Sequence, residues 1–137
     1  MKKQVMIIGI DFDGTCVTHE YPEIGRDVGA EPVLKELIQE GHKLILWTMR
    51  SGKYLEEAVT WFQDRDIPLF GVNKNPEQST WTDSPKAYCN LYIDDAALGI
   101  PLLVSSKESR PYVNWEKVRE MLYLVVWSEH VSKRAGV

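Results

Sequence analysis

The chain has 137 residues, 44% of them hydrophobic, and its 16 basic and 20 acidic side chains give a net charge of −4. This length corresponds to one domain of about 100–150 residues, and the acidic balance disfavours a dedicated nucleic-acid binder, which usually has a basic excess. Its two cysteines provide neither a disulfide framework nor a zinc site, and no apolar run approaches the roughly 20 residues that span a bilayer. We therefore expect a single cytoplasmic domain over residues 1–137, with its core at about 5–127 and a frayed tail at 128–137.

Five short apolar segments predict five strands. The first, residues 5–10, is continuously apolar, as is typical of a strand buried on both faces of a parallel sheet. The other four predicted strands are residues 44–47, 67–72, 91–93 and 101–104.

Helical patterns occupy most of the intervals between these strands. Apolar residues recur at helical spacing in residues 30–40 and 51–65. Asn114 is placed to cap a C-terminal helix whose inward side chains we expect to be Val118, Met121, Leu122 and Val125. This alternation predicts an α/β fold, a doubly wound, Rossmann-like parallel sheet with helices on both faces and an expected strand order of 3-2-1-4-5.

Polar side chains end three of the predicted strands. Asp11 and Asp13 follow strand 1, Thr48 follows strand 2, and Asp94 and Asp95 follow strand 4. In such sheets, ligands bind beyond the carboxyl ends of the strands, where the strand order reverses. Clustered carboxylates repel one another unless a cation lies among them, and Mg²⁺ prefers oxygen ligands, water and phosphate. The pattern therefore predicts a Mg²⁺ site at this edge, with one protonated aspartate available as an acid.

Four segments, in this order, resemble the four motifs of the haloacid dehalogenase-like (HAD) superfamily. They are the sequence DFDGT at residues 11–15, Trp47-Thr48, Lys86, and Ile93-Asp94-Asp95. The resemblance covers residues 5–104, and the intervals between the motifs are too short for a cap domain. The chain thus resembles a small, capless HAD member.

The resemblance implies a Mg²⁺-dependent phosphomonoesterase that acts through an aspartyl-phosphate. Asp11 would be the nucleophile, and Asp13 would protonate the leaving oxygen and then activate water. The metal ligands would be Asp11, the carbonyl of Asp13 and one or both of Asp94 and Asp95, with Asp95 favoured as the direct ligand.

The phosphoryl group would be held by residues around the same edge of the sheet. The implied phosphate-binding residues are Gly14, Thr48, Met49 and Lys86. Thr48 and Lys86 would also be catalytic, with Lys86 holding both Asp11 and the phosphate, and Lys74 competes with Lys86 for the role of the motif lysine. Arg50 and Trp81 are candidate substrate contacts or, equally, scaffold residues. An open, capless mouth suits a phosphate on a large substrate, or a small substrate enclosed by a homo-oligomer.

Two other functions compete with this interpretation. A non-catalytic phosphate-binding or scaffolding protein on the same fold stays open, because fold does not determine function. A receiver domain of the two-component type is disfavoured, because its phosphorylated aspartate ends strand 3, whereas residues 70–73 here are Phe-Gly-Val-Asn.

Overall fold

A computed structural model describes the backbone of residues 4–126 and the side chains of residues 4–123. The tail predicted at 128–137 and the Val125 side chain lie outside the described part. The elements are β1 (Ile7–Ile10), α1 (Ala30–Gln39), β2 (Lys43–Leu46), α2 (Gly52–Asp64), β3 (Gly71–Val72), β4 (Leu91–Ile93), β5 (Leu102–Leu103), β6 (Tyr112–Val113) and α3 (Trp115–Val126). A single 3-10 turn, Gln78–Thr80, precedes β4.

Four parallel strands form the central sheet in the order β3-β2-β1-β4. This confirms the predicted order for the first four strands and the Rossmann-like α/β class. The register pairs Ile10 with both Leu46 and Ile93, and the N–H of Asp11 continues the ladder by donating to the Ile93 carbonyl at 3.0 Å. The residues that follow β1, β2 and β4 therefore leave the sheet side by side.

The expected fifth strand of this sheet is wrong. Leu102–Leu103 pairs antiparallel with Tyr112–Val113 in a separate two-stranded ribbon. The two residues of β5 are about 40% exposed, so the segment lacks the burial on both faces that a strand of a parallel sheet requires. Two apolar residues in sequence do not show whether a strand joins the parallel sheet or a separate ribbon. In this chain, the backbone N–H and C=O groups of Leu102–Leu103 bond to Tyr112–Val113 and not to a strand of the sheet.

The core lies between the sheet and the helices. The strands contribute side chains that are almost fully buried: Ile8, Ile10, Leu44, Leu46 and Ile93. In α3, Val118 and Leu122 are buried as predicted, whereas Met121 is 46% exposed and does not face inward. Asn114 caps this helix by accepting a hydrogen bond from the Lys117 N–H at 3.2 Å. Among the described residues, no helix combines the length and apolarity needed to cross a membrane.

Phe12 fixes the loop that follows β1. Its ring is fully buried and packs edge-to-face on Trp61, with ring centroids 5.7 Å apart, and at 6.1 Å from Phe62. Truncation of a buried phenylalanine costs about 3–5 kcal/mol. The aspartates on either side of Phe12 are thus attached to α2 through a large apolar anchor.

Candidate functional site

Three carboxylates meet at the carboxyl edge of the sheet. Asp11 follows β1 and Asp94 and Asp95 follow β4, and one oxygen of each lies within 4.8 Å of the others. We call these three residues the carboxylate cluster. Oxygens on opposite sides of a Mg²⁺ ion are about 4.2 Å apart, given Mg–O distances of about 2.1 Å. The cluster therefore has nearly the dimensions that one shared cation requires.

Thr15 links the two halves of the cluster. Its hydroxyl donates to Oδ2 of Asp11 at 2.7 Å and accepts the backbone N–H of Asp95 at 3.0 Å. Its carbonyl accepts the indole N–H of Trp115 at 2.6 Å. Thr15 is fully buried, so the spacing between Asp11 and Asp95 is held by a side chain that water cannot displace easily.

His19 occupies one oxygen of Asp95. Its Nε2 lies 2.9 Å from Oδ2 of Asp95, and both side chains are mostly buried. The close approach is possible because Gly14 lies beneath it: a Cβ on Gly14 would come within 2.4 Å of the imidazole and 2.5 Å of Oδ2 of Asp95. Gly14 also has a φ of +83°, which favours glycine.

Gly14→Ala should therefore strongly destabilise the protein. The matched control is Gly41→Ala, because Gly41 has a similar φ of +91° but nothing within 4 Å of a built Cβ. We expect the control to cost about 1–2 kcal/mol from backbone strain, and Gly14→Ala to cost at least about 2 kcal/mol more from the added overlap. Urea unfolding of both variants checks this, and equal losses would show that His19 and Asp95 do not crowd Gly14.

Burial and mutual repulsion shift the pKa values of the three carboxyl groups in the carboxylate cluster. Burial, together with hydrogen bonding to Asp95 and repulsion from Asp94 and Asp95, raises the pKa of Asp11 to about 8. Burial also raises the pKa of Asp94. For Asp95, burial is outweighed by hydrogen bonds from Asp11 and His19, which lower its pKa. Without a cation, the raised pKa of Asp11 and the lowered pKa of Asp95 favour a protonated Asp11 beside an ionised Asp95, as expected of two crowded carboxyl groups.

Asp13 turns away from the carboxylate cluster and pairs with Arg50. Nε and one terminal nitrogen of Arg50 donate to the two Asp13 oxygens at 2.8 and 2.7 Å. The remaining donors bond the carbonyls of Pro22 at 3.2 Å, Tyr54 at 3.2 Å and Glu23 at 2.8 Å. These bonds use all five guanidinium N–H groups, and the Arg50 side chain is 1% exposed. Arg50 therefore takes the scaffold role, one of the two roles that the sequence left open for it.

Thr48 and two nearby backbone N–H groups lie at the carboxyl edge of the sheet. The N–H of Thr48 donates to Oδ1 of Asn73 at 2.8 Å, and its hydroxyl accepts the Arg50 N–H at 3.1 Å. Within residues 4–126, the N–H groups of Asp13 and Met49 donate to no protein acceptor. They are the backbone donors that a phosphate could use at this edge.

The N–H of Gly14, predicted to bind phosphate, is not available for that role. It donates to the Val17 carbonyl at 2.7 Å inside the loop after β1. The loop closes on itself here because Thr15 and Cys16 also bond back to the carbonyl of Phe12. The contribution of Gly14 is the space it leaves for His19.

Neither predicted lysine contacts the nucleophile candidate. Across the described residues, no ion pair joins Lys86 or Lys74 to Asp11, and both lysines are exposed. The Lys86 ammonium lies 5.6 Å from the centre of the Tyr92 ring, and its carbonyl is held by the Gln78 amide at 2.9 Å. The predicted contact between Lys86 and Asp11 is therefore absent from this arrangement.

The other two residues predicted to contact phosphate or substrate are exposed. Met49, next to Thr48, is 98% exposed. Trp81 is 64% exposed and packs edge-to-face on Tyr88 at 5.7 Å. In the described part of the chain, no hydrogen bond or ring contact joins Trp81 to the carboxylate cluster.

Three residues of this site have only a weak signal in the sequence. Thr15 belongs to the DFDGT segment, and His19 lies in the loop that follows it. Asn73 marked the end of strand 3, and its φ of +54° directs its amide to Thr48. A hydroxyl or imidazole close to an aspartate motif is a weak signal, because both residues are common in loops.

One solved structure, described as a conserved protein coded by a locus from Bacteroides thetaiotaomicron, is similar to this chain. The two share 38% identity over 87% of this chain and 90% of that one, with a TM-score of 0.71. No protein-family model matches the chain, and a comparison with curated proteins gives no match. The description of the related protein states no activity.

Proposed function

We propose that this chain, which belongs to the same family as the conserved Bacteroides thetaiotaomicron protein, is a Mg²⁺-dependent phosphohydrolase of the HAD-like type. It would hydrolyse phosphomonoesters through an aspartyl-phosphate on Asp11, on a capless, doubly wound α/β core. The family relationship supports the fold, and the geometry at the carboxyl edge of the sheet supports the chemistry.

The observation that carries the proposal is the position of Asp11. Its carboxylate lies directly after the central strand β1, beside the Asp94–Asp95 pair and at the edge where Thr48 ends the neighbouring strand. Three segments far apart in sequence thus deliver a nucleophile candidate, an acidic pair and a hydroxyl to one place. Among the described residues, the N–H groups of Asp13 and Met49 donate to no protein acceptor, which leaves them available to a phosphate.

The residues present fit a divalent cation. The cluster consists only of carboxylate oxygens, which are hard ligands. Burial and the neighbouring carboxyl groups raise the pKa of Asp11 to about 8, a penalty on its charge that a bound cation would offset. Asp11, Asp95 and the Asp13 carbonyl would hold the ion, with Asp94 beside them. When bound, Mg²⁺ supplies charge neutralisation to the phosphoryl oxygens and the carboxylates.

The reaction would proceed in two displacements. An oxygen of Asp11 attacks phosphorus, an Asp11–phosphorus bond forms, and the bond from phosphorus to the leaving oxygen breaks while Asp13 gives that oxygen a proton. Water then attacks the same phosphorus, Asp13 takes a proton from the water, and the Asp11–phosphorus bond breaks. The sum is one ester and one water giving one alcohol and one phosphate, with Asp11 and Asp13 restored.

Asp13 retains capacity for this role despite its pairing. Arg50 donates one hydrogen bond to each of its oxygens, whereas a carboxylate has about four lone-pair sites. A leaving oxygen or a water can therefore reach the side of Asp13 that Arg50 leaves open. Asp13 is 13% exposed, which is consistent with access from the mouth of the site.

The experiment is a panel of phosphomonoesters of graded leaving groups, from p-nitrophenyl phosphate to sugar phosphates and nucleotides, assayed with Mg²⁺. We expect measurable release of phosphate for some members, with the Asp11→Asn variant as the blank. No release above that blank from any member would contradict a phosphohydrolase.

A non-catalytic phosphate-binding protein is the second candidate. The pairing of Asp13 with Arg50 favours it, because a fully bonded, buried guanidinium holds this carboxylate in a fixed structural contact. It predicts saturable phosphate binding without turnover anywhere in the panel. Isothermal titration with inorganic phosphate, run beside the panel, separates the two functions.

A further inference from the structure

Arg50 joins three separate parts of the chain beside Asp13. It follows β2, yet it bonds the carboxylate of Asp13 after β1 and the carbonyl of Tyr54 in the first turn of α2. Its other two bonds go to the carbonyls of Pro22 and Glu23. These carbonyls belong to residues 20–24, which we call the rim loop.

The aromatic neighbours of Arg50 strengthen the same connection. The guanidinium carbon lies 5.1 Å from the ring centres of Phe12 and Tyr21. Tyr21 belongs to the rim loop and packs on Tyr54 at 5.7 Å, whereas Phe12 precedes Asp13 in the core. Cation–π contacts are worth about 0.5–2 kcal/mol. The guanidinium therefore holds the rim loop through the Tyr21 ring as well as through the backbone carbonyls of Pro22 and Glu23.

The base of the rim loop has its own support. The N–H of Thr18 donates to the Arg26 carbonyl at 2.9 Å, and the N–H of Arg26 donates to the Thr18 hydroxyl at 2.9 Å. Arg26 also forms an ion pair with the mostly buried carboxylate of Glu108. Loss of Arg50 should consequently release the tip of the loop and not its base.

We propose that Arg50 is a positioning residue that fixes the Asp13 carboxylate and the rim loop as one unit. No lysine can reproduce this arrangement, because an ammonium group lacks the planar fork that binds two carboxylate oxygens at once. Through Arg50, the rim loop is joined to Asp13, the residue that would protonate the leaving oxygen. The position of the rim loop and the direction of Asp13 therefore change together, which couples the loop to the acid–base step. The kinetic part of this inference rests on the proposed function.

The kinetic test compares Arg50→Ala and Arg50→Lys with wild type on esters of good and poor leaving groups. General acid catalysis contributes about 10²–10⁴-fold and matters most for a poor leaving group. We expect Arg50→Ala to lower kcat/KM for an alkyl phosphate by at least about 10²-fold and kcat/KM for p-nitrophenyl phosphate by far less, because kcat/KM covers the reaction only as far as phosphoryl transfer to Asp11. Added guanidinium ion should restore part of the loss, whereas urea, which has a similar shape without the charge, should not.

The structural test is amide hydrogen exchange, which requires no turnover. Arg50→Ala and Asp13→Ala should each speed exchange in residues 20–24 and leave Thr18 and Arg26 as in wild type. The matched control is Arg119→Ala, because Arg119 makes a similar two-pronged bond to Glu36 at 2.9 and 3.0 Å on an exposed surface. That variant should leave both the rim loop and kcat unchanged.

The outcomes separate the two proposals. If the wild-type protein hydrolyses no phosphomonoester, the proposed function is wrong. The hydrogen-exchange data alone then decide whether Arg50 holds the rim loop to Asp13. If Arg50→Ala fails to fold, Arg50→Lys keeps the charge and decides the question in the same assays. Folded variants with wild-type exchange in residues 20–24 and a wild-type ratio of rates between leaving groups would overturn the inference.

Discussion

Asp11→Asn is expected to abolish phosphomonoester turnover while leaving the fold intact. An amide oxygen is a poor nucleophile and weakens the cation site, so kcat should fall by at least about 10³-fold. The fold should persist because Asn can still accept the hydrogen bond from Thr15 and donate to Asp95. Steady-state rates on the best substrate of the panel, with circular dichroism for the fold, provide the measurement.

The control for this variant is Asp66→Asn, which makes the same chemical change two residues after the C-terminal end of α2. Asp66 is exposed and has a φ of +55°, a conformation that asparagine tolerates well. We expect wild-type rates from this control. An Asp11→Asn protein with even a tenth of the wild-type kcat would show that Asp11 is not the nucleophile.

The same variant has a predictable effect on stability. The pKa of Asp11 is raised from 3.8 to about 8 in the folded protein, chiefly by burial and by its hydrogen bond to Asp95. Between these pH values the folded state binds more protons than the unfolded state, so wild-type stability falls as the pH rises. Asn does not titrate, and urea unfolding in EDTA should show this loss from pH 5 to pH 9 in wild type and a smaller one in Asp11→Asn.

Removal of divalent cations should have the second-largest effect on turnover, after Asp11→Asn. Chelation by EDTA should abolish turnover, and added Mg²⁺ should restore it, because the repulsion within the carboxylate cluster then has only a proton to offset it. Mg²⁺ should also raise Tm, since a ligand at 100 times its Kd adds about 2.7 kcal/mol to the stability of the folded state. The rise should be larger at pH 9 than at pH 6, because at the lower pH the ion must displace the proton on Asp11.

Asp95→Asn is the variant that tests this site. It should lose most of the rise in Tm caused by Mg²⁺, and Asp66→Asn should keep it. Full turnover in EDTA, or an unchanged response to Mg²⁺ in Asp95→Asn, would contradict a cation at the carboxylate cluster.

The sequence was sufficient to predict that the residues following strands 1, 2 and 4 lie at the same edge of the sheet. Parallel strands joined by right-handed crossovers place their carboxyl ends at one edge, so Asp11, Thr48 and Asp94 could be assigned to that edge from the order of apolar runs alone. The predicted position of β4 beside β1 held in the structure. The extra strand failed because Leu102–Leu103 carries too few residues to specify its partner.

The direction of each side chain at that edge could not be predicted. Asp11 and Asp13 share a motif, yet one joins the carboxylate cluster and the other binds Arg50, which is 37 residues away in sequence. A long cationic side chain after β2 can point to substrate or into the protein, and the choice depends on carbonyls of the rim loop that sequence patterns do not locate. The same uncertainty applies to Lys86, whose ammonium lies over Tyr92.

Identification of the phosphorylated residue tests the central claim most directly. Asp13→Asn should slow water attack more than transfer from p-nitrophenyl phosphate, so the acyl-phosphate should accumulate in that variant with Mg²⁺ present. Borohydride reduces an aspartyl-phosphate to homoserine, which mass spectrometry locates in the sequence. We predict homoserine at position 11 only, and a protein that turns over phosphomonoesters without any modification at Asp11 would contradict the account.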